Sequence, residues 1–245
     1  MAPREFYEQI ASTQGRAIEL ARAGGAEGAC VVARTQSAGR GRSDHVWASP
    51  PGGLYLSVVL RDSERASGLF ALLLGARLAD ALARAYHVPL RVKWPNDLFV
   101  VRPGVPPRKL GGILIDRVLV PDGTVLVAGI GVNVSAPPSA YPTELRGFVA
   151  SLTEIASPPP SLDEVERIVL EGAIDAARTA ADPAQRAETL AACRAALYGI
   201  GHHAVVDGVP QGIIRGLAED GALLVEHGPD LVSIRAGDLR VEGAA

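Results

Sequence analysis

The sequence predicts an α+β fold: a mixed, largely antiparallel sheet flanked by helices, then a small C-terminal barrel. Three observations carry this reading. Two apolar runs, residues 112–120 and 124–134, are joined by Pro121-Asp-Gly123, a turn tight enough for an antiparallel hairpin. Residues 67–86 are rich in Ala and Leu, and Leu69, Leu72, Leu73, Ala76, Leu78, Ala79 and Leu82 cover a broad helical stripe that supports a core. From His202 the texture changes to short strands with turns at Asp207-Gly208, Asp220-Gly221 and Gly228-Pro229. At 245 residues and 48% apolar content, the chain can build one substantial domain, residues 1–198, and a small one, residues 199–245, that leans on it.

In chain order, Ser12-Thr13 opens a helix that Gly24-Gly25 closes. Residues 29–35 are a short β-branched run and read as a strand. Residues 52–60 are apolar enough for a strand buried on both faces. A further strand is expected at residues 90–94. Ser157-Pro-Pro-Pro160 is a stiff connector, Ser161-Leu-Asp-Glu164 is a capping box, and Asp182-Pro183 starts a last helix that should run to Gly199. In the barrel, Val205, Ile213, Leu223, Val225, Val232, Ile234 and Leu239 are the expected filling.

Composition excludes several classes. A net charge of −3 gives no general attraction to nucleic acid or anionic membrane, and 4% aromatic residues is thin for a base-stacking surface. No apolar run is long enough to span a bilayer, and the N-terminus lacks a secretory core. Cys30 and Cys193 are unaccompanied, which argues against a disulfide framework or a zinc site and for a reducing cytoplasm. The cations are the informative part. Of 24 basic residues only Lys93 and Lys109 are lysine, and both sit among Gly, Pro and Asn rather than on a charged helix face. A compact ammonium enters a narrow pocket where a guanidinium fork does not fit.

Gly39-Arg-Gly-Arg42 combines backbone freedom with two guanidiniums, which is apparatus for a phosphate or carboxylate. It is neither a Walker A loop nor a dinucleotide fingerprint, because the required Lys-Ser/Thr and third Gly are missing. Trp94-Pro-Asn-Asp97 places a turn after a strand, where Asn96 and Asp97 can hydrogen-bond, bind a cation, act as a base, or only satisfy the local backbone. Gly111-Gly112 and Gly129-Ile-Gly131 permit either close approach to a ligand or tight packing. Asn133 should face opposite to Val132 and Val134. The histidines show no ligand geometry, and no Ser-His-Asp or Cys-His set emerges. Cations, glycines and an acid without a nucleophile suit a site whose substrates supply the nucleophile.

Taken together and in this order, Ser12-Thr13, Gln36-Ser-Ala-Gly-Arg-Gly-Arg42 with Trp47, Lys93-Trp-Pro-Asn-Asp97, Arg108-Lys-Leu-Gly-Gly-Ile-Leu114 and Gly129-Ile-Gly-Val-Asn133 resemble a biotin–protein ligase. The resemblance implies a class II synthetase-like catalytic domain and an SH3-like C-terminal barrel. It implies that biotin and ATP, with Mg²⁺ carried by the nucleotide and no protein-bound metal, form biotinyl-5′-AMP. A lysine of a biotin carboxyl carrier protein then takes the biotinyl group. By resemblance, Ser12, Thr13, Gln14, Gln36, Gly39, Arg40, Gly41, Arg42, Lys109 and Gly112 hold biotin. Arg40, Arg42, Trp47, Lys93, Asn96, Lys109, Gly131 and Asn133 hold the nucleotide. Lys109, Arg40, Arg42 and Asp97 carry catalysis, Asp97 by accepting or steering the amine proton. Trp47 is equally open to covering the adenine or to packing in the core.

The chain departs from the family's usual pattern at Ala11 and Gln14, and at Ser43-Asp44-His45, where many members have a second Gly-Arg. That change predicts a loop that leaks the adenylate more readily. The short stretch before Ser12 leaves no room for the DNA-reading domain some members carry, so no nucleic-acid or membrane partner is expected. Pairing of two copies through a sheet edge stays open, as does use of that edge by the carrier. A lipoate–protein ligase and a non-catalytic biotin or nucleotide sensor are the competing readings.

Overall fold

The structure, a computed structural model, describes residues 2–43, 45–61 and 69–243. The chain begins with β1 (Arg4–Tyr7), which runs parallel to β2 (Cys30–Ala33), with α1 (Thr13–Arg22) between them. β1 was not expected, because four residues alternating exposed and half-buried carry little apolar signal. α1 starts where the cap predicts: Ser12 Oγ accepts from the Gly15 N–H at 3.4 Å. β3 (Gly53–Arg61) precedes α2 (Leu69–Tyr86); the start expected at Ser67 lies outside the described residues.

β4 (Leu90–Lys93), β5 (Asp97–Arg102), β6 (Val105–Val120) and β7 (Gly123–Asn133) complete a seven-stranded sheet of order β1-β2-β3-β7-β6-β5-β4. All its neighbours except β1 and β2 are antiparallel. The expected β6–β7 hairpin is present, with Val120 opposite Gly123. β5 is a correction. The sequence reading left residues 97–102 without a strand, whereas the chain folds straight back on β4 with Lys93 opposite Asp97.

Both faces of this sheet are covered, which explains the unbroken apolar run in β3. On one face, α2, α4 (Leu162–Ala181) and α5 (Arg186–Ala196) pack over Leu56, Val58, Leu126, Ala128 and Ile130. On the other, α1 covers Val59, Val118 and Val127 with Ala17 and Ala21. α1 spans only part of that face, so the sheet beyond its N-terminus is left for a cleft. The short α3 (Leu152–Ile155) precedes α4, whose Ser161 cap accepts from the Glu164 N–H at 3.2 Å. Asp182 caps a single 3₁₀ turn before α5. α5 stops short of Gly199 because Tyr198 N–H donates to Val92 C=O at 2.8 Å, drawing the chain onto the edge of β4.

β8 (His203–Val206), β9 (Val209–Leu217), β10 (Leu223–His227), β11 (Asp230–Ile234) and β12 (Leu239–Glu242) form a second sheet of order β11-β10-β9-β8-β12. Its filling differs from expectation in two places. A bulge sets Leu217 opposite Leu223 but Ile214 opposite Val225, so Ile214 and Leu217 point inward while Ile213 is only half-buried. Val232, on the outermost strand, is exposed. Ile214, Leu217, Leu223, Val225 and Leu239 are continuous with the core of the first sheet, and the buried Trp94 donates its indole N–H to Gly221 C=O at 3.1 Å. Among the described residues no helix is long and apolar enough to cross a membrane.

Candidate functional site

Strand pairing sets the floor of the cleft. Lys93 faces Asp97 across β4–β5, Asp97 faces Gly112 across β5–β6, Gly112 faces Gly131 across β6–β7, and Gly131 faces Tyr55 across β7–β3. Directly paired residues share a face, so these five form one row. Lys109 joins them through a bulge. It pairs with Phe99, two residues beyond Asp97 on β5, yet lies three residues before Gly112 on β6. Without the extra residue Lys109 would point to the opposite face.

Both lysines of the chain therefore meet one carboxylate. Lys109 Nζ lies 2.7 Å from Asp97 Oδ1, and Lys93 Nζ lies 3.9 Å from Asp97 Oδ2. Lys93 is also 3.7 Å from Asp238, which immediately precedes β12, and sits over the Phe99 ring. Lys109 Nζ stands 5.2 Å from the centre of the Trp47 ring. Asp97 and Lys93 are mostly buried, with side chains 13% and 15% exposed. Tyr55 closes the row as a neutral donor: burial pushes its phenol well above the usual value, and its hydroxyl donates to Pro50 C=O at 2.6 Å.

The paired glycines explain the position of Trp47. A β-carbon on Gly112 would lie 2.9 Å from the indole, and one on Gly131 2.5 Å, so only glycines let the ring lie against the sheet. Trp47 thus packs on the cleft floor, half-buried, with its indole N–H unpartnered among the described residues. The loop before it closes on itself: Trp47 N–H donates to Gly39 C=O at 2.9 Å and Gly41 N–H to His45 C=O at 2.7 Å. Gly39 and Gly41 serve that close approach, since β-carbons would come within 2.4 Å of Trp47 O and 3.0 Å of His45 O. The left-handed position is Ser43, at φ 48°. Asp44 lies outside the described residues. Arg40 reaches toward Asp116 at 3.7 Å, and Arg42 Nη1 donates to Asn96 Oδ1 at 3.4 Å. Asn96 in turn donates to Ile113 C=O at 2.7 Å.

The far end of the cleft is polar and built on the start of α1. Gln36 Oε1 accepts from Thr13 N–H at 2.8 Å and from the Thr13 hydroxyl at 3.1 Å. Ser57 donates to Thr13 Oγ1 at 2.9 Å. The Gln14 amide donates to Asp116 and to Val127 C=O, each at 3.0 Å, leaving its own carbonyl oxygen buried against Gly129. The cleft between the two ends has a volume of about 850 Å³.

Most sequence-selected residues line this cleft: Ser12, Thr13, Gln14, Gln36, Arg40, Gly41, Arg42, Trp47, Lys93, Asn96, Asp97, Lys109, Gly112 and Gly131. Gly39 does not line the cleft and sits against Trp47, Ser49 and Gln36. Asn133, two residues beyond Gly131 on β7, is almost fully buried and does not line the cleft, with its amide donating to Lys109 C=O at 3.3 Å. Sequence reasoning missed Ser57, a hydroxyl in the apolar run of β3 that could have been noticed. It also missed the exposed rim residues Val46 and Phe148, and Asp207, Asp238 and Arg240, which the second sheet brings into the wall. Among the described residues no three His, Cys, Asp or Glu side chains cluster for a metal.

The chain matches the model of the biotin/lipoate A/B protein ligase family over residues 7–134. It is 30% identical to a biotin–[acetyl-CoA-carboxylase] ligase of Mycobacterium tuberculosis over 96% of this chain and 87% of that one. It is 33% identical to the bifunctional ligase/repressor BirA of Bacillus subtilis over 62% of this chain and 46% of that protein. The chain spans about half the length of the first curated relatives it matches. Among solved structures, biotin protein ligase from Aquifex aeolicus in complex with biotin and ATP superposes with a TM-score of 0.82 at 26% identity, covering 99% of both chains. With the match covering more than half of the sequence, the chain belongs to the biotin/lipoate A/B protein ligase family.

Proposed function

We propose that this protein activates biotin with ATP as biotinyl-5′-AMP and transfers the biotinyl group to a lysine of a biotin carboxyl carrier protein. The observation that carries the reading is the meeting of both lysines of the chain at Asp97, in a cleft whose other end is lined by hydrogen-bonding side chains. A cationic end suits the phosphates and the carboxylate. A polar end suits the cyclic urea of biotin, with its two N–H groups and one C=O, and has nothing to offer the dithiolane of lipoate. The relatives named as biotin–[acetyl-CoA-carboxylase] ligases support the same substrate and a carboxylase carrier.

In the first step a carboxylate oxygen bonds to the α-phosphorus and the bond to pyrophosphate breaks. Two anions must approach, so Lys109, Arg40 and Arg42 act by neutralising charge at the point of attack. No base is needed, because the carboxylate is ionised at neutral pH. In the second step the carrier amine bonds to the acyl carbon, the bond to AMP breaks, and the amine loses a proton. Asp97 accepts or steers that proton and meanwhile holds Lys109 in place at 2.7 Å. Thr13, Gln36 and Ser12 orient the urea. Trp47, on its glycine floor, offers an aromatic face toward the nucleotide.

Pyrophosphate release from ATP and Mg²⁺, measured with biotin or lipoate and with or without carrier, tests this. Biotin-dependent release that turns over only with carrier is the expected result. Release with lipoate alone would move the chain to the sister activity. Biotin binding without release from either would make it a sensor.

A further inference from the structure

The polar end of the cleft contains a hydrogen-bond chain whose direction follows from one fixed donor. The Thr13 main-chain N–H can only donate, so the end of the Gln36 amide that it meets at 2.8 Å is the carbonyl. The other end is then the NH₂ group, which donates to Ser49 Oγ at 2.9 Å. An Oγ that accepts there keeps its own proton free, and it lies 3.1 Å from Trp47 C=O. Ser49 is therefore the link between a side chain on the cleft lining and the main chain of the residue that carries the indole, although Ser49 itself does not line the cleft.

The anion loop rests on the same junction. A β-carbon at Gly39 would lie 2.4 Å from Trp47 O, 2.8 Å from Ser49 Oγ and 3.1 Å from Gln36 Nε2. The first glycine of Gly39-Arg-Gly-Arg42 is thus seated on all three partners of the link. Any rotation of the Gln36 amide away from Ser49 disturbs the point at which the loop starts and ends.

We propose that Ser49 is a positioning residue that couples the biotin head-group pocket to the Arg-Gly loop: its hydroxyl fixes the Gln36 amide and anchors the Trp47 carbonyl together. The proposal rests on the biotin reading given above. Losing the hydroxyl leaves the Gln36 NH₂ and the Trp47 carbonyl without this partner, a loss comparable to one buried hydrogen bond and so about tenfold in affinity.

The test is calorimetric titration of biotin into the full chain for wild type, Ser49→Ala and Ser49→Thr. Thermal midpoints and stopped-flow release of biotinyl-5′-AMP are measured in parallel. Ser49→Ala should weaken biotin about tenfold and speed adenylate release by a similar factor, while Ser49→Thr, which keeps the hydroxyl, stays within about twofold of wild type. In a Gln36→Met background, Ser49→Ala should add less than about twofold to the loss of biotin affinity, because its effect passes through Gln36. Wild-type affinity in Ser49→Ala, equal losses in the Ala and Thr variants, or full additivity with Gln36→Met would overturn the coupling. A wild-type chain that binds no biotin would instead overturn the ligand reading, and the coupling with it.

Discussion

The cations of the cleft are held in opposite ways on its strands and on its loop. Lys93, Asp97, Lys109, Gly112 and Gly131 stand on paired strands, and a bulge aims Lys109 at a carboxylate 2.7 Å away. Arg40 and Arg42 stand on a loop: the Arg40 side chain is 51% exposed and reaches Asp116 at 3.7 Å, and Val46 beside it is 80% exposed. An exposed ion pair at that distance contributes little, on the order of 0–1 kcal/mol. The strand end is organised before any substrate arrives; we propose that the loop end tightens when an anion replaces its weaker contacts to Asp116 and Asn96. We propose a division of labour of degree: the strand lysine carries most of the charge neutralisation at the point of attack, and the loop arginines add to it while mainly retaining the adenylate.

Replacing one cation from each end breaks or sharpens that contrast. Lys109→Ala should lower biotin-dependent pyrophosphate release by about 10²–10³-fold, with a far smaller effect on the thermal midpoint, since the ammonium meets Asp97 and the Trp47 ring at the cleft surface. Arg40→Ala should cost about tenfold, expressed mainly as faster loss of the adenylate in stopped-flow dissociation. Equal effects of the two on pyrophosphate release would show that loop and strands share the chemistry.

The glycine floor gives the next test. Gly131→Ala puts a β-carbon where the Trp47 ring now lies, 2.5 Å from its nearest atom, while the strand pairing to Gly112 and Tyr55 can persist. The ring should lift from the sheet, shifting its fluorescence emission to the red and weakening ATP about fivefold. Trp94, the only other tryptophan, is 2% exposed and provides a constant background. An unchanged emission maximum would mean that the ring does not need the glycines.

Much of this was legible in the sequence, and the reason differs by element. Caps at Ser12 and Ser161 and the turn at Pro121-Asp-Gly123 are local signals, so α1, α4 and the β6–β7 hairpin followed from them. The rarity of lysine singled out Lys93 and Lys109, but only the register of β4, β5 and β6 reveals that both face Asp97. A bulge has no sequence signal strong enough to read, and neither has a long-range contact. The inward turn of Ile214 follows from such a bulge, the contributions of Asp238, Phe148 and Ser49 depend on contacts between separate segments, and β5 was missed although it folds straight back on β4. The sequence offers Gly39 and Gly41 for close approach to a ligand or for positive φ, whereas in the structure their missing β-carbons let the loop approach itself.

The smallest expected effect belongs to Ser43, and it tests the loop most directly. Its φ of 48° puts a β-carbon in the left-handed region, which costs a non-glycine residue roughly 1–2 kcal/mol. Ser43→Gly removes that cost from the folded loop but adds conformational freedom to the open one, roughly 0.5–1 kcal/mol in the opposite direction. The first effect is the larger, so the substitution should favour the closed loop and slow adenylate release by about two- to fivefold, with pyrophosphate release in the first turnover unchanged. Faster release would mean that the open-loop entropy dominates and that the left-handed turn is not part of the closed form. A change in the first turnover would mean that loop closure also sets the rate of the chemical step, which would erase the contrast between strands and loop.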